Sequence, residues 1–371
     1  MPEKAIRQNV VTRARKLVVK VGSASITGPD GRIDRRAISS LAGQIAAAMA
    51  QRRAVVLVSS GAIAAGMGEL DLPERPKTMP ELQALAAVGQ GQLMRAYHDA
   101  FARRKLKVAQ VLITRGDFED RARYVNIRNT LTTLLDMGVV PILNENDAVA
   151  VDEIRFGEND VIAAHVANLL SAEVLVLLTN VDGVLKAGQR VPVIHQVDAE
   201  ARSLAEAAGS RLGSGGMASK IEAASLVTRA GEVAVIARAK APNVLADLLA
   251  GRDVGTIFLP AERKMSSRRR WIGQASRPTG KLTVDAGAAR ALKKGGKSLL
   301  PSGIVGVTGR FGKGATVSVL DPDGQELARG LSNYSAEEVG RIMGLRSDQI
   351  AGVLGDKPYD EVIHRNNMTL G

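Results

Sequence analysis

The tripeptide Glu-Asn-Asp occurs twice, at Glu145–Asp147 and at Glu158–Asp160. Both copies lie between an apolar strand-like run at 139–143 and a helix-like run at 161–170. Carboxylates and carboxamides are therefore crowded between the carboxyl end of a strand and the amino end of a helix. In an open parallel sheet that edge is where small ligands bind. Side-chain oxygens of this kind replace the water around an ammonium group, whereas a phosphoryl group asks for helix-end N–H groups and lysines. Lysines with that potential stand elsewhere. Lys20 interrupts the apolar run LVVKV and is followed by Gly22-Ser23. Burying an ammonium alone costs several kcal/mol, so Lys20 either has an anionic partner or reaches solvent at the strand end. Ser60, in Ser59-Ser60-Gly61, either offers a hydroxyl to a carboxylate or phosphate or simply forms a turn and caps a helix. The run GSGGMASK at 213–220 precedes a helix-like stretch. It is either an anion cradle or a flexible connector, and its spacing is not that of a Walker A loop. Asn159 and Asp160 have a capping role as their alternative. The density of polar side chains between two apolar elements argues for a ligand site.

Other chemistries are poorly supplied. The four histidines, His98, His165, His195 and His364, have no metal-ligand spacing, and GxSxG is absent, so no nucleophile elbow is expected. With no cysteine, disulfides and thiolate metal sites are excluded. The run Arg268–Arg270 reads as a solvated connector.

The elements that would position these residues follow a regular cadence. Buried-type strands are expected at 17–21, 54–59, 108–114, 139–143, 173–179 and 233–237, with a hairpin-like piece at 184–195. Helices are expected at 35–51, 81–105, 124–137, 161–171, 198–208 and 221–229, and 62–68 is an Ala-rich stretch after the second strand. Apolar strands alternating with helices imply a mostly parallel α/β sheet covered on both faces. The cadence stops near Pro260. Residues 261–278 read as a basic linker, and short β pieces with glycine turns then suggest a small β-barrel-like domain.

Length and composition fit two or three globular domains: the chain has 371 residues, 45% hydrophobic and 24% charged. The polar, basic N-terminus lacks a signal-peptide core, and no run of about 18 apolar residues follows, so a soluble cytoplasmic protein is expected. The net charge is +12, of which residues 261–371 contribute +7 from 18 Lys and Arg against 11 Asp and Glu. Such a surface favours anionic ligands, nucleotides or nucleic acid among them. At 3% aromatic residues, a base-stacking platform is weakly supported.

Together, LVVKVGS, VSSGAIAAG, LAAVGQ, ILNENDAV, GEND, LLTNVDG and GSGGMASK resemble the amino acid kinase family in order and spacing. Within it they are most similar to members that phosphorylate the side-chain carboxylate of L-glutamate, the entry to proline biosynthesis. Residues from about 279 to 355 resemble a PUA domain. The resemblance implies a three-layer α/β sandwich with a mainly parallel sheet over 16–260, after a basic arm at 1–15, with linker 261–278 and a PUA-like domain and tail at 279–371. It implies ATP and Mg²⁺, no protein-held metal, feedback inhibition by proline, and a homo-oligomer. Carried over position by position, Lys20 and Lys220 would bracket the migrating phosphoryl group and Asp160 would hold both lysines. Ser60, Asp147 and Asn159 would bind glutamate. Lys20, Thr179, Asn180, Ser214, Gly215, Gly216, Met217, Ala218, Ser219 and Lys220 would bind ATP. Asn180 departs from the usual Thr-Asp pair, the hairpin after it is short, and Glu158 stands where Asp is common. The rival expectations are another kinase of the same fold, acting on a different carboxylate, carbamate or nucleotide, and an RNA-binding protein acting through its basic C-terminal domain.

Overall fold

The computed structural model describes residues 7, 10–28, 31–150, 158–207, 216–261, 265–294 and 296–370. The chain forms two compact units, Met1–Asp117 with Ala122–Lys264, and Phe118–Arg121 with Met265–Gly371.

The main elements of the first unit are, in chain order, β1 (Lys16–Val21), α1 (Arg35–Ala50), β2 (Ala54–Ser59), α2 (Ala62–Glu69), α3 (Met79–Ala102), β3 (Val108–Ile113), α4 (Arg121–Asp136), β4 (Val140–Glu145), α5 (Glu158–Leu170), β5 (Val174–Thr179), β6 (Val193–Ile194), α6 (Ala199–Ala207), α7 (Met217–Arg229), β7 (Val233–Arg238), α8 (Val244–Leu249) and β8 (Thr256–Phe258). The strands form one sheet in the order β3-β4-β2-β1-β5-β7-β8-β6. Every neighbouring pair is parallel except β7 and β8. The strand order runs outward in both directions from β1, which makes β1 the topological switch point, the place where an open α/β sheet leaves a crevice beyond its carboxyl ends.

Strand alternation decides which face each side chain serves. Leu17, Val19 and Val21 of β1 join the core formed with Ile38, Leu41 and Ile45 of α1 and Leu93, Tyr97 and Phe101 of α3. Val18 and Lys20 must therefore point to the opposite face, where α5 packs against β1, β2, β4 and β5, and α7 against α5. Helices α2 and α3 meet without a gap. A Cβ on Gly89 would stand 1.9 Å from Ala62 O and 2.2 Å from Gly66 N, and one on Gly66 would stand 2.1 Å from Leu85 O. No side chain fits at either position, so these glycines fix how α3 lies on α2. Gly61, with φ of 112°, lies in the left-handed region at the start of α2, where glycine carries no Cβ penalty.

Several boundaries differ from expectation. Helix α5 begins at Glu158 and α7 at Met217, so Asn159, Asp160, Ser219 and Lys220 lie inside first helical turns rather than before them. Strand β4 runs on through Asn144 and Glu145. The short strands β6 and β8 at the sheet edge carry too few residues to show periodicity.

The second unit has β9 (Gly280–Val284), α9 (Ala286–Lys293), β10 (Ile304–Gly309), β11 (Thr316–Leu320), β12 (Glu326–Leu331), α10 (Ala336–Ile342) and β13 (Met368–Leu370). Its sheet has the order β10-β9-β11-β12-β13, parallel only between β9 and β11. Leu282, Val284, Val317, Val319, Tyr334 and Ile342 belong to its separate core. Ser335 and Glu338 close a capping box at the start of α10. Part of the stretch expected as a linker belongs to this unit: Ser267–Arg270 is helical and Trp271–Ala275 is a π-helix. Trp271 Nε1 donates to Phe118 O at 3.0 Å, and the Arg121 guanidinium lies 5.1 Å from the Trp271 ring centroid.

Candidate active site

Three buried charges meet beyond the middle of the sheet. Lys20 on β1, Asp160 in the first turn of α5 and Lys220 in the first turn of α7 are 3%, 0% and 5% exposed. Lys20 Nζ is 2.7 Å from Asp160 Oδ1, and Lys220 Nζ is 3.0 Å from Asp160 Oδ2. Ser219 Oγ is 2.8 Å from both Asp160 Oδ2 and Gly216 O, and its single proton goes to one of them. Two lysines 200 positions apart in sequence thus share one carboxylate. Burial disfavours the Asp160 carboxylate, yet the Lys20 and Lys220 charges outweigh it and hold its pKa below the usual carboxylate range. Burial lowers the Lys20 pKa, Asp160 opposes that, and the Lys220 charge adds to it. A Cβ on Gly22 would have Lys20 Nζ as its nearest neighbour at 3.7 Å, so the residue after the strand leaves the ammonium uncrowded.

A second, uncharged cluster adjoins the first through the chain itself, because Asn159 precedes Asp160. Asn159 Nδ2 donates to Ser60 Oγ at 3.0 Å and to Asn144 Oδ1 at 3.1 Å. Asn144 Nδ2 donates to Gln90 Oε1 at 2.8 Å, and Glu145 N donates to Asn144 Oδ1 at 2.9 Å. Asn159 Oδ1 is buried and has no hydrogen-bond partner among the described residues. Asp147 is half-buried in the turn after β4, and its charge opposes the lowering of the Arg75 pKa by burial. That turn is tied to α3 by Gln83 Nε2, which donates to Ala150 O at 3.2 Å.

The arrangement therefore joins Lys20, Asp160, Ser219 and Lys220 in one group and Ser60 with Asn159 in another. Thr179 ends β5, next to β1, and its hydroxyl donates to the exposed Asn180 Oδ1 at 3.3 Å. Gly216 caps α7 without a side-chain hydrogen bond, and Met217 and Ala218 follow in the first turn. Among the described residues no side chain caps the backbone N–H groups at that helix end, which suits an anion. Ser214 and Gly215 lie outside the described residues. Sequence reasoning passed over Asn144 and Gln90, although both stand inside quoted motifs. The signal available was Gly89, whose lack of a side chain brings Gln90 against the strand ends.

The amino acid kinase family pattern matches residues 15–238, and the PUA domain pattern matches residues 280–354. The chain belongs to the amino acid kinase family and carries a C-terminal PUA domain. It is 46% identical over 372 residues to glutamate 5-kinase of Citrifermentans bemidjiense, covering 98% of this chain and 100% of that one. It is 47% identical over 365 residues to glutamate 5-kinase of Moorella thermoacetica, covering 96% and 97%. The solved structure of Giardia carbamate kinase superposes with a TM-score of 0.50 at 19% identity, over 67% of this chain and 100% of that one, a likeness of fold. Among the described residues no helix is long and apolar enough to cross a membrane.

Proposed function

We propose that this chain transfers the γ-phosphoryl group of ATP to the side-chain carboxylate of L-glutamate, forming L-glutamyl 5-phosphate, the first step of proline biosynthesis. The observation that carries the reading is the pair of buried lysines that meet on the Asp160 carboxylate at the switch point of the sheet. Two ammonium groups converging there suit a migrating phosphoryl group. The two glutamate 5-kinases named above, 46% and 47% identical over nearly the whole chain, support the same acceptor.

Phosphoryl transfer asks for in-line positioning and for positive charge where negative charge accumulates. A glutamate carboxylate oxygen forms the new bond to the γ-phosphorus while the bond to the bridging oxygen breaks and ADP leaves. The attacking carboxylate is already ionised, with an ordinary pKa of about 4.3, so no general base is needed. Lys20 and Lys220 stabilise the migrating group, and Asp160 spaces them. Ser60, Asp147 and Asn159 hold glutamate. Thr179, Asn180 and residues 214–220 hold the nucleotide, its phosphates at the uncapped start of α7. Each Asp160 carboxylate oxygen faces a lysine ammonium group. Mg²⁺ fits as an ion carried by the nucleotide phosphates, keeping several waters and neutralising charge there.

Proline shares the α-carboxylate and ammonium of glutamate, so inhibition at the Ser60–Asn159 cluster belongs to the same reading. A cytoplasmic homo-oligomer does too; β3 is an edge strand with Leu112 39% exposed. RNA contact through the basic second unit would show as salt-dependent retardation of structured RNA in a gel.

Hydroxylamine trapping tests the activity. ADP release that requires L-glutamate and yields a hydroxamate is expected. Release driven equally by aspartate, N-acetylglutamate or UMP would assign a different reaction.

A further inference from the structure

We propose that Gln90 is a positioning residue: it orients the Asn144–Asn159 amide pair so that Asn159 keeps a carbonyl oxygen for the ammonium group of the acceptor. The inference rests on the reading that glutamate occupies the cluster around Ser60 and Asn159.

The polarity of this chain of amides starts from the backbone. The Glu145 N–H can only donate, so the Asn144 atom it meets at 2.9 Å is an oxygen. Asn144 must then turn its NH₂ toward Gln90, and the Gln90 atom 2.8 Å away must be the accepting oxygen. The same Asn144 oxygen receives one proton of Asn159 Nδ2 at 3.1 Å, and the other goes to Ser60 Oγ at 3.0 Å. Both Asn159 protons are consumed. What remains is its Oδ1, buried and without a partner among the described residues.

A buried acceptor left unpaired costs about 1–3 kcal/mol. An ammonium group removes that deficit with a charge-assisted bond, whereas a carboxylate, with nothing to donate, cannot. The cluster therefore selects an acceptor that carries an N–H donor beside its carboxylates over a plain dicarboxylic acid of the same length. Gln90 is needed because Asn144 is 2% exposed, so without Gln90 its NH₂ would be a buried donor lacking an acceptor. Asn144 would swing to find one and release Asn159. Gln90 itself cannot slide, because the contact of Gly89 with Ala62 O and Gly66 N fixes α3 on α2.

The test compares the KM for L-glutamate with the inhibition constant of glutarate, which has both carboxylates and no ammonium. In Gln90→Leu the preference for glutamate over glutarate is expected to narrow by about tenfold or more, while the KM for ATP stays near wild type. Gln90→Glu keeps an acceptor facing Asn144 and is expected to retain the preference. Gln90→Met, close in shape to glutamine, repeats the measurement if the leucine variant does not fold. An unchanged preference in the Leu or Met variant, or an equal loss in the Glu variant, overturns the role. The wild-type chain separates the two failures. If it shows no glutamate-dependent turnover, the proposed activity fails; if it turns over normally and the Leu or Met variant keeps its preference, only the positioning role fails.

Discussion

At the scale of single residues, Asp160 carries more than either lysine, since both buried ammonium groups pair with its carboxylate, at 2.7 and 3.0 Å. Replacing it by Asn removes the carboxylate that both buried ammonium groups share and should cost about 3–5 kcal/mol. Urea unfolding of Asp160→Asn checks this, and wild-type stability would contradict it. The pH dependence has a definite sign. The folded-state pKa of Asp160 lies below its unfolded value of about 3.9, so its contribution is complete above that value and fades as pH falls through the folded pKa. The stability gap between wild type and Asp160→Asn should therefore be constant near neutrality and shrink in acid. Lys20 titrates below its ordinary 10.5 because of burial. Turnover should fall with rising pH before the ordinary lysine range is reached, and Lys20→Arg, whose guanidinium does not titrate there, should lack that limb.

At the scale of elements, the site depends on where helices begin and how closely they pack. Gly89→Ala inserts a methyl group where only 1.9 Å separates it from Ala62 O. Overpacking of this kind costs about 1–3 kcal/mol, and here it also moves Gln90 and the chain leading from Ser60. A lower melting temperature together with a raised KM for glutamate is expected; an unchanged KM would separate the packing from the site. Much at this scale was legible in sequence. Continuous apolar runs reported β1, β2, β4, β5 and β7, and the interruption at Lys20 marked a buried charge. The starts of α5 and α7 were not legible, for a physical reason. Their first turns hold Asn159 and Asp160, and Ser219 and Lys220, whose polar side chains bond to one another and to Ser60, Asn144 and Lys20, so they lack the apolar period that reveals a helix. The same applies to Asn144, which reads as a turn residue yet is the next-to-last residue of a buried strand. The strands β6, β8 and β13, of two or three residues, form because neighbours pair with them.

At the scale of the whole molecule, two units with separate cores imply two responses to ligand. The single tryptophan, Trp271, lies in the second unit, so its fluorescence reports the surroundings of that ring. Ligands that bind one unit stabilise that unit by mass action. Saturating ATP and glutamate should therefore raise the temperature at which activity is lost and leave the Trp271 melting curve in place. A joint shift would contradict independent unfolding. The central claim is that lysines from β1 and α7 act on one phosphoryl group. Lys220→Ala leaves Lys20 and Asp160 as a neutral pair, so the fold should persist. The most direct measurement is the single-turnover rate of hydroxamate formation by Lys220→Ala at saturating ATP and glutamate, with circular dichroism as the fold control. The account predicts a loss of about 10³-fold with the KM for glutamate little changed, and a rate within about tenfold of wild type would contradict it.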